Sequence, residues 1–328
     1  MKTYYTASGC SNIISISINN SHGSNIATAV IECVSTSKNI GDTIEVYLGY
    51  EGDYDRKFSG YVKQIERKAP DDTYTITAFD ALIRASDFFI ASSNPNAALS
   101  YSNIKAEKLV DELLTLAGLT NYTYDATSFT FGVRNSFEVN LVGSLDYIRT
   151  ICDLLTWSIW ADSDGKIHFE NRKPYPMTGT SGQPGDSADS PISYTLTDSK
   201  IIEINYKITE KDLRNKVVVY GGNDVYATAS SSSSYLPAGF YKTAVLAAPM
   251  LDTQSFAQDT ADYNLDLLNR ITKEVQLTVL GDPILDARSV IVLNTTSIPL
   301  TGNWYIYACE HNINKSGYVN NLTLRRMD

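Results

Sequence analysis

Three short runs decide the fold: Gly41-Asp-Thr-Ile-Glu-Val-Tyr-Leu48, Gly60-Tyr-Val-Lys-Gln-Ile65 and Tyr74-Thr-Ile-Thr-Ala78. In each run apolar and β-branched residues alternate with polar ones, and polar turns separate the runs, so the stretch predicts three consecutive strands. The same signature returns near the C-terminus as Gly281-Asp282, Ser289-Val-Ile-Val-Leu293, Trp304-Tyr-Ile-Tyr-Ala308 and Val319-Asn-Asn-Leu-Thr-Leu324. A chain that carries two similar β units can place them side by side around an axis.

The composition is that of an ordinary globular protein with excess negative charge. The chain has 328 residues, 43% hydrophobic and 20% charged, a length that predicts about two domains. Its formal net charge of -10 argues against sequence-independent binding to a phosphate backbone, which needs clustered Lys and Arg. Lys105–Lys108 and Arg325-Arg326 are too short to form such a patch. We also predict no sequence-specific binding of nucleic acid. DNA can still slide past an acidic surface.

Neither a membrane anchor nor a covalent framework is predicted. The N-terminal residues lack the apolar run of a signal peptide, and no stretch approaches the roughly 18 apolar residues of a membrane span. Cys10, Cys33, Cys152 and Cys309 are far apart, so we expect buried thiols in a reducing compartment rather than a zinc site or a disulfide network. The sequence thus predicts a protein made in a cytoplasm without stable membrane insertion.

The period of the pattern changes after the first three strands of the repeat. Helical segments are predicted at 80–87, from Lys105 to Ala117 with Gly118 as the stop, from Ser144 as an N-cap, and over 255–272. Asp162-Ser-Asp-Gly165 predicts a tight turn between two strands, because Asp-Gly is a strong hairpin signal. A polar hairpin loop is predicted over Glu51–Asp55. The middle elements together predict a small α/β domain over residues 96–175.

Two polar segments are predicted to lie on the surface. Residues 174–191 are rich in Pro, Gly, Ser and Thr, and five consecutive serines follow Ala229. Strands are predicted at 200–208 and 216–220, between these segments. The segments 176–191 and 226–238 are either contact arms for neighbouring proteins or ordinary surface loops, and both interpretations remain open.

No catalytic motif is present in the sequence. There is no nucleophile elbow, no metalloprotease motif, no Walker loop and no dinucleotide fingerprint. His22, His168 and His311 lie in separate elements without the spacing of metal ligands. A histidine in an alternating strand is weak evidence for a site, so His168 is expected to have a structural role.

Carboxylates are numerous but form no pattern that indicates chemistry. With thirty-seven acidic residues, candidate pairs for glycoside hydrolysis arise by chance; the candidates are Glu66, Asp80, Glu170 and Asp282. Asp162-Ser-Asp-Gly165 lacks the third oxygen ligand and the position-12 Glu of a calcium loop, which favours the hairpin turn. Asp42 and Asp282 recur in the repeat, where Gly-Asp supplies turn chemistry at a strand entrance. We therefore predict no catalytic, cofactor-binding or metal-binding residue and no enzymatic activity.

The order of the elements points to a family. The segments that carry the likeness are Phe58-Ser-Gly-Tyr-Val-Lys-Gln-Ile65, Tyr74-Thr-Ile-Thr-Ala-Phe-Asp80, Ala106–Leu119, Ser144–Leu155, Trp160–Phe169 and Gly302–Arg326. Taken in this order, they resemble phage tail hub proteins. The family is the baseplate hub, or late control protein D, family of contractile tails, prophage-derived particles and tailocins, and the likeness covers nearly the whole chain.

This resemblance implies a mixed β and α+β fold, with two tube-like β-barrel domains flanking a small helix-containing α/β domain. The implied divisions are a first barrel domain at 1–95, the α/β domain at 96–175, a linker at 176–199 and a second barrel domain at 200–328, with a flexible insertion at 222–240 and a helix at 255–272. Residues of about 41–80 and 281–326 are then expected to hold the contacts that face the tail tube.

The resemblance also implies assembly. Family members are homotrimers whose six barrels form a pseudo-hexameric ring that adapts the hexameric tail tube above to the trimeric central spike below. The implied partners are the tail tube protein, the central spike protein, the C-terminus of the tape measure protein and baseplate wedge proteins. The implied location is the virion tail baseplate, assembled in the host cytoplasm. We predict an acidic lumen wall, because DNA or a tape measure protein must pass without sticking.

Two other interpretations remain open from the sequence. A hub-like tail-tip protein of a non-contractile tail is the first, although such proteins usually continue into receptor-binding or lytic extensions, whereas this sequence stops after the second β unit. A tail-associated cell-wall hydrolase built on the same domains is the second. The missing catalytic motifs argue against it.

Overall fold

The computed structural model describes residues 2–23, 25–91, 99–171 and 194–326. Its first part is a unit of six strands: β1 (Thr3–Ala7), β2 (Cys10–Ser21), β3 (Thr28–Thr36), β4 (Thr43–Tyr50), β5 (Asp53–Lys68) and β6 (Thr73–Phe79). Buried and open positions alternate along β2, β3 and β4, as expected for strands with one face on a core. The loop predicted over Glu51–Asp55 is shorter than expected, because β5 already begins at Asp53.

The middle part contains helices and short strands: α1 (Ile83–Asp87), β7 (Phe89–Ile90), β8 (Leu99–Tyr101), β9 (Ile104–Lys105), α2 (Ala106–Leu116), β10 (Tyr122–Tyr124), β11 (Thr130–Phe131), β12 (Phe137–Val139), β13 (Val142–Gly143), α3 (Ser144–Leu155), β14 (Ser158–Ala161) and β15 (Ile167–Glu170). Gly118, with φ of 75°, follows the end of α2 as predicted. Ser144 begins α3 but does not cap it, because its hydroxyl donates instead to the carbonyl of Leu113 at 3.1 Å.

The remaining elements run from β16 to β24: β16 (Thr195–Thr197), β17 (Ile201–Thr209), β18 (Lys216–Gly221), β19 (Tyr226–Ser230), β20 (Thr243–Ala248), α4 (Gln254–Leu268), β21 (Thr272–Leu280), β22 (Val290–Thr295), β23 (Leu300–Asn314) and β24 (Gly317–Arg326). Strands β22, β23 and β24 are the second copy of the sequence repeat. Both copies therefore form the three consecutive antiparallel strands that the alternation predicts.

The repeat extends to six strands on each side. The first unit has the order β1-β4-β5-β6-β3-β2, and the second unit has the order β16-β22-β23-β24-β21-β17. Each strand of one unit thus has a counterpart in the other, except that β1 pairs antiparallel with β4 whereas β16 pairs parallel with β22. The units join edge to edge, because β2 pairs antiparallel with β23 from Ser15 opposite Asn314 to Ser21 opposite Ala308. The result is one twelve-stranded sheet.

The described residues bury three hydrophobic cores. The first unit and the second unit each bury their own core. The third core joins the helices α1 to α3 with β18, β19, β20 and α4. The middle body is therefore built from two separate stretches of chain, within residues 81–171 and 213–268, and the second stretch interrupts the second β unit.

Some predicted segments differ from the structure, and others lie outside it. The helix predicted over 255–272 is present as α4, but it packs in the middle core and not on the second β unit. Part of the insertion predicted over 222–240 is the strand β19, because Ala227 and Ala229 are buried in the middle core. The predicted linker lies outside the described residues up to 193. The predicted domain boundaries remain predictions. Within the described ranges, no helix has the length and apolar character needed to cross a bilayer.

A continuous polar sheet face as the candidate functional surface

The three histidines occupy three separate environments. His22 follows the end of β2, and its Nδ1 lies 2.8 Å from the hydroxyl of Tyr305 on β23. His168 lies on β15 in the middle body, and His311 lies inside β23. The structure therefore does not bring the histidines together. Among the described residues, no group of three His, Cys, Asp or Glu side chains is placed to hold a metal ion.

His168 lies between two carboxylates. Its Nε2 is 2.9 Å from Oδ2 of Asp162, and its Nδ1 is 2.7 Å from Oε1 of Glu170. Its ring stacks on Trp160 with centroids 5.2 Å apart. The hydrogen bonds to Asp162 and Glu170 raise the pKa of His168 to about 9, so the ring is protonated at neutral pH. A protonated ring that bridges two carboxylates stabilises the β14–β15 hairpin.

The turn of this hairpin is the predicted Asp-Gly turn. Oδ1 of Asp162 accepts hydrogen bonds from the backbone N–H groups of Asp164 and Lys166, each at 2.9 Å. Gly165 has φ of 79°, a value that glycine adopts without strain. Since both oxygens of Asp162 are engaged within the hairpin, the carboxylate orders the turn rather than facing a ligand.

His311 belongs to a buried polar cluster beside the junction of the two β units. Its Nδ1 lies 2.6 Å from the hydroxyl of Tyr318 and 2.8 Å from the side-chain nitrogen of Asn320, and its Nε2 lies 3.4 Å from Sγ of Cys309. Burial lowers the pKa of His311 to about 4, so the ring is neutral. Tyr318 packs into the core of the first unit although it belongs to β24. The cluster thus connects the two units.

The four candidate carboxylates lie in different elements: Glu66 on β5, Asp80 after β6, Glu170 on β15 and Asp282 before β22. Asp80 is buried, and burial raises its pKa to about 7. Its carboxylate accepts hydrogen bonds from the backbone N–H groups of Ala27 at 2.6 Å and Leu82 at 2.8 Å. Asp80 therefore orders the chain where β6 leads into α1.

The repeated Gly-Asp pairs act on their own turns. Oδ2 of Asp42 accepts a hydrogen bond from the N–H of Asn39 at 2.8 Å. Oδ1 of Asp282 accepts one from the N–H of Ile284 at 3.2 Å. Both contacts are local side-chain-to-backbone bonds of the kind that stabilise turns. They agree with the turn chemistry expected from the sequence.

Arg288 contacts three parts of the molecule. Its guanidinium donates to Oδ1 of Asn20 at 3.1 Å and to the carbonyl of Ser21 at 2.6 Å, both at the end of β2. The same guanidinium lies 4.9 Å from the ring of Trp160 in the middle body. Because Arg288 itself precedes β22, one buried side chain links the first unit, the second unit and the middle body.

A second set of contacts fixes the two units against each other. Nζ of Lys57 lies 3.8 Å from a carboxylate oxygen of Asp286, and only 8% of the Lys57 side chain is exposed. The hydroxyl of Tyr50 donates to the carbonyl of Gly281 at 2.8 Å. Both contacts join a residue of the first unit to a residue of the second unit, so they hold the two units in a fixed relative position.

The outer face of the joined sheet is polar across both units. We call this surface the polar face and define it by the central residues of its rows, which lie opposite one another on neighbouring strands and are not buried: Ser15, Ser17, Asn19, Val30, Glu32, Gln64, Glu66, Thr75, Thr77, Glu203, Asn205, Gln276, Thr278, Ala308, Glu310, Asn312, Asn321 and Thr323. The same rows continue at their ends to Thr28, Tyr61, Lys68, Phe79, Lys207, Glu274, Leu280, Val319 and Arg325. Alternating residues of the same strands are buried in the two cores.

Hydrogen bonds on the polar face cross the junction of the units. One carboxylate oxygen of Glu310 accepts from the hydroxyl of Ser17 at 3.1 Å, and the other accepts from the side-chain nitrogen of Asn321 at 3.0 Å. Thr278 in turn donates to Oδ1 of Asn321 at 3.0 Å. The polar face is therefore continuous in its hydrogen bonding as well as in its strands.

The charge of the polar face is acidic. Its defining residues include four glutamates, at 32, 66, 203 and 310, and no lysine or arginine, whereas the ends of the rows add Glu274 and the cations Lys68, Lys207 and Arg325. Cations lie at its margins, where Lys68 pairs with Glu32 at 3.6 Å and Arg325 pairs with Glu274 at 3.6 Å. Part of the face is concave, with a depression of about 320 Å³ that reaches from Asn19 to Glu203.

The sequence did not single out the residues that join the units. Ser17, Lys57, Arg288 and Glu310 each contact a residue far away in the chain. The alternation of Ser and Ile in β2 indicates a polar face on that strand, which is the available signal. It does not indicate that β23 continues this face, because pairing of distant strands leaves no periodic trace.

Comparisons with known proteins find likeness in structure alone. No family model and no curated protein matches the sequence. Among solved structures, the 43 kDa tail protein of prophage MuSo2 from Shewanella oneidensis has a TM-score of 0.66 at 12% identity, over 99% of this chain and 96% of that chain. A tail protein from Neisseria meningitidis has a TM-score of 0.69 at 9% identity, over 99% and 97%.

A third similar structure comes from a secretion system. The c3393 protein of E. coli is described as a type VI secretion component that is structurally similar to the T4 tail proteins gp27 and gp5. Its TM-score is 0.60 at 9% identity, over 99% of this chain and 77% of that chain. The chain has the fold of phage tail proteins. At these identities the likeness establishes the fold, which is that of the tail proteins that the sequence resembles.

Proposed function

We propose that the chain is a structural hub protein of a contractile phage tail or of a related injection particle. In this proposal, copies of the chain form a ring, and the polar face lines the lumen of that ring. The polar face is the observation that carries the proposal: it crosses both β units, it is partly concave, and it is acidic. The fold likeness to phage tail proteins supports it.

An acidic polar wall suits a passage. Hydroxyl and amide side chains present no large apolar surface on which a passing protein could stick, and the glutamates repel the phosphates of DNA. A wall that bound DNA through phosphates would need lysine and arginine. The polar face has these residues only at its margins.

The two equivalent units of each chain explain how a ring of three chains can match a tail tube of six subunits. Each chain carries two units with the same strand order, joined edge to edge. In a homotrimer, six units surround the axis, although the chain itself repeats three times. Contacts between unlike edges close into a ring when the rotation per unit fits. Such a ring adapts a hexameric tail tube on one side to a trimeric spike on the other.

The proposed partners follow from this position. They are the tail tube protein above, the central spike protein below and the C-terminus of the tape measure protein in the lumen, with baseplate wedge proteins outside. The likeness to an E. coli secretion component, itself described as similar to the T4 tail proteins gp27 and gp5, supports a place in a tail or injection particle. We further propose that the two β units are the two tube-like barrel domains, that the role is structural and not enzymatic, and that the site of action is the virion tail baseplate.

The mass of the purified protein in solution tests this proposal. Light scattering over a range of concentrations, with and without the spike protein of the same particle, should find a species three times the 36.2 kDa mass of the chain. Electron micrographs of that species should then contain rings with an open centre. A protein that stays monomeric under all of these conditions contradicts the proposed hub.

A further inference from the structure

The two β units match at irregular positions as well as in strand order. Equivalent bulges lie at Ile13/Ser15 of β2 and Ile201/Glu203 of β17, and at Val62/Gln64 of β5 and Ile306/Ala308 of β23. A bulge adds one residue to one strand, so it marks a fixed point from which positions can be counted. Counted this way, β17 is the counterpart of β2, and β5 is the counterpart of β23.

The internal seam between the units uses half of β23. β22 covers this edge of β23 from Leu300 to Tyr305, and β2 covers it from Ala308 to Asn314. Residues 308–314 of β23 extend past the end of β22, and β2 pairs with this part of the same edge of β23. The seam is thus the pairing of an outer strand of one unit with the extension of a central strand of the next unit.

Both counterparts of the seam have an edge that no described strand covers. β4 pairs with β5 from Asp53 to Tyr61, and a bond from the N–H of Gly41 to the carbonyl of Val62 ends this coverage. The extension of β5, from Lys63 to Lys68, has β6 on one edge only within the described residues. β17 is the last strand of the sheet and pairs with β21 alone. Unpaired edges are templates for another strand.

We propose that β17 of one copy pairs antiparallel with the extension of β5 of the next copy, in the register of the internal seam. This inference rests on the proposed ring, because it names the contact that closes it. Asn19 lies opposite Glu310 in the seam, and their counterparts are Lys207 and Glu66. Lys207 therefore lies opposite Glu66 of the next copy.

The side chains of the two edges fit this register. Lys207 and Glu66 are exposed, and opposite charges directly across an antiparallel pair stabilise it. One position further, Ile208 lies opposite Ile65 of the next copy. Ile208 is 57% exposed, and Ile65 lies at the rim of the first core. Pairing them removes apolar surface from water.

Neighbouring registers fit less well. A shift of two residues in one direction places Lys207 opposite Lys68, a pair of like charges that destabilises directly opposed strands. A shift in the other direction places it opposite Gln64, without an ion pair. The seam register also continues the polar face from copy to copy, because Asn205 on β17 and Glu66 on β5 both belong to it.

Disulfide trapping tests the register in the full chain. In an antiparallel pair, opposite Cα atoms are about 4.5–5.5 Å apart, within the range that a disulfide spans. The double variant Lys207→Cys with Glu66→Cys should form covalent dimers and trimers on mild oxidation, with trimers as the largest product. The register controls combine Lys207→Cys with Gln64→Cys or with Lys68→Cys, and we expect each to give at least about fivefold less cross-linked protein. The unaltered chain, oxidised in parallel, accounts for the native cysteines.

The outcomes separate the register from the ring. A trimer in solution whose best cross-link is Lys207→Cys with Gln64→Cys or Lys68→Cys, or with neither, overturns the register and leaves the proposed function standing. A protein that is monomeric by mass and gives no cross-link overturns both. Efficient trapping of the Lys207–Glu66 pair in trimers supports the inference.

A charge exchange supplies an independent measurement. Lys207→Glu should raise the protein concentration at half-assembly by about fivefold or more, and adding Glu66→Lys should restore it. Lys211→Glu is the matched control, since it makes the same charge change beyond the end of β17. If Lys207→Glu and Lys211→Glu weaken assembly equally and the exchange restores nothing, the proposed pair is not formed.

Discussion

The extensions of β5 and β23 occupy the same place in their units but carry different chemistry. On β23, His311 and Ile313 are buried, and β2 covers the edge. At the position of β5 equivalent to His311, Arg67 is exposed and charged, and no described strand covers the edge. A free strand edge must resist unwanted pairing in the monomer, and charged side chains do this, whereas a covered edge needs neutral groups that can be buried.

The two cores differ as well. Gly60 of β5 lies opposite Ile44, and Trp304 of β23 lies opposite the equivalent Ile291. The first unit has no space for a side chain at Gly60, because Phe58 and strand β6 fill it. The second unit fills the equivalent position with a fully buried tryptophan. The same strand order is thus compatible with a glycine in one core and a tryptophan at the equivalent position of the other. This explains why the two copies share a pattern of alternation but few identical residues.

The largest expected effect is at Trp304. Trp304→Ala removes a fully buried side chain from the core of the second unit and leaves a cavity. We expect the free energy of unfolding to fall by about 3–5 kcal/mol, measured by urea titration followed by circular dichroism. Trp304→Phe keeps a ring in the site and should lose less than half as much. A loss below about 1 kcal/mol for the alanine variant contradicts the packing described here.

The next largest effect is the pH dependence of the free energy of unfolding that arises from His311. The pKa of His311 is about 4 in the folded protein, below its value of about 6.5 in an unfolded chain, so the folded state favours the neutral ring. Its stabilising contribution is complete above pH 6.5 and is lost as the pH falls to 4, a change of about 3 kcal/mol. Urea titrations at pH 6.5 and pH 4 measure this loss.

The control for His311 removes the titrating ring. In His311→Gln, the change in unfolding free energy between pH 6.5 and pH 4 should shrink by the same amount of about 3 kcal/mol. The carboxylate of Asp286 and the ammonium of Lys57 act on His311 in opposite directions, and they remain in the variant. An unchanged pH dependence in this variant assigns the loss to other groups.

The third effect tests the tight packing of the first unit. In Gly60→Ala, the new Cβ lies 2.2 Å from the carbonyl oxygen of Phe79 and 2.6 Å from the ring of Phe58, so β6 has to move. We expect a loss of about 1–3 kcal/mol in the free energy of unfolding. Ser59→Ala, one residue earlier on the same strand, should change it by no more than about 0.5 kcal/mol. Equal small effects at both positions contradict the close approach of β6.

The sequence predicts the parts of the fold that depend on local patterns, and it does not predict which distant elements pack together. The strands β4 to β6 and β22 to β24, and the helices α2 and α3, are local patterns, and the sequence predicts each of them. Helix α4 is also predicted, but its partner is not, because a helical stripe of apolar residues does not indicate which core it joins.

For the polar face, too, the local pattern is predictable from the sequence and the distant partner strand is not. Alternation in β2 predicts that Ser15, Ser17 and Asn19 share a polar face. The partner of that face is β23, almost 300 residues away in the chain, and a two-residue period carries no information about the partner. Arg288 and Lys57 become visible as contacts between the units only once the strands are placed. The order of elements was therefore a better guide to the fold than any single motif.

The smallest expected effect compares the repeated aspartates. Asp42→Ala and Asp282→Ala each remove one side-chain hydrogen bond to the backbone of a turn, so each should lower the free energy of unfolding by about 1 kcal/mol. Asp282 also lies 3.8 Å from Nζ of Lys200 and interacts with the buried side chain of Tyr194, so Asp282→Ala should lose more than Asp42→Ala, by up to about 1 kcal/mol. Asp→Asn variants keep an acceptor oxygen and should lose less. If Asp282→Ala costs several times more than Asp42→Ala, the two Gly-Asp turns are not equivalent, and the second aspartate has a role beyond its turn.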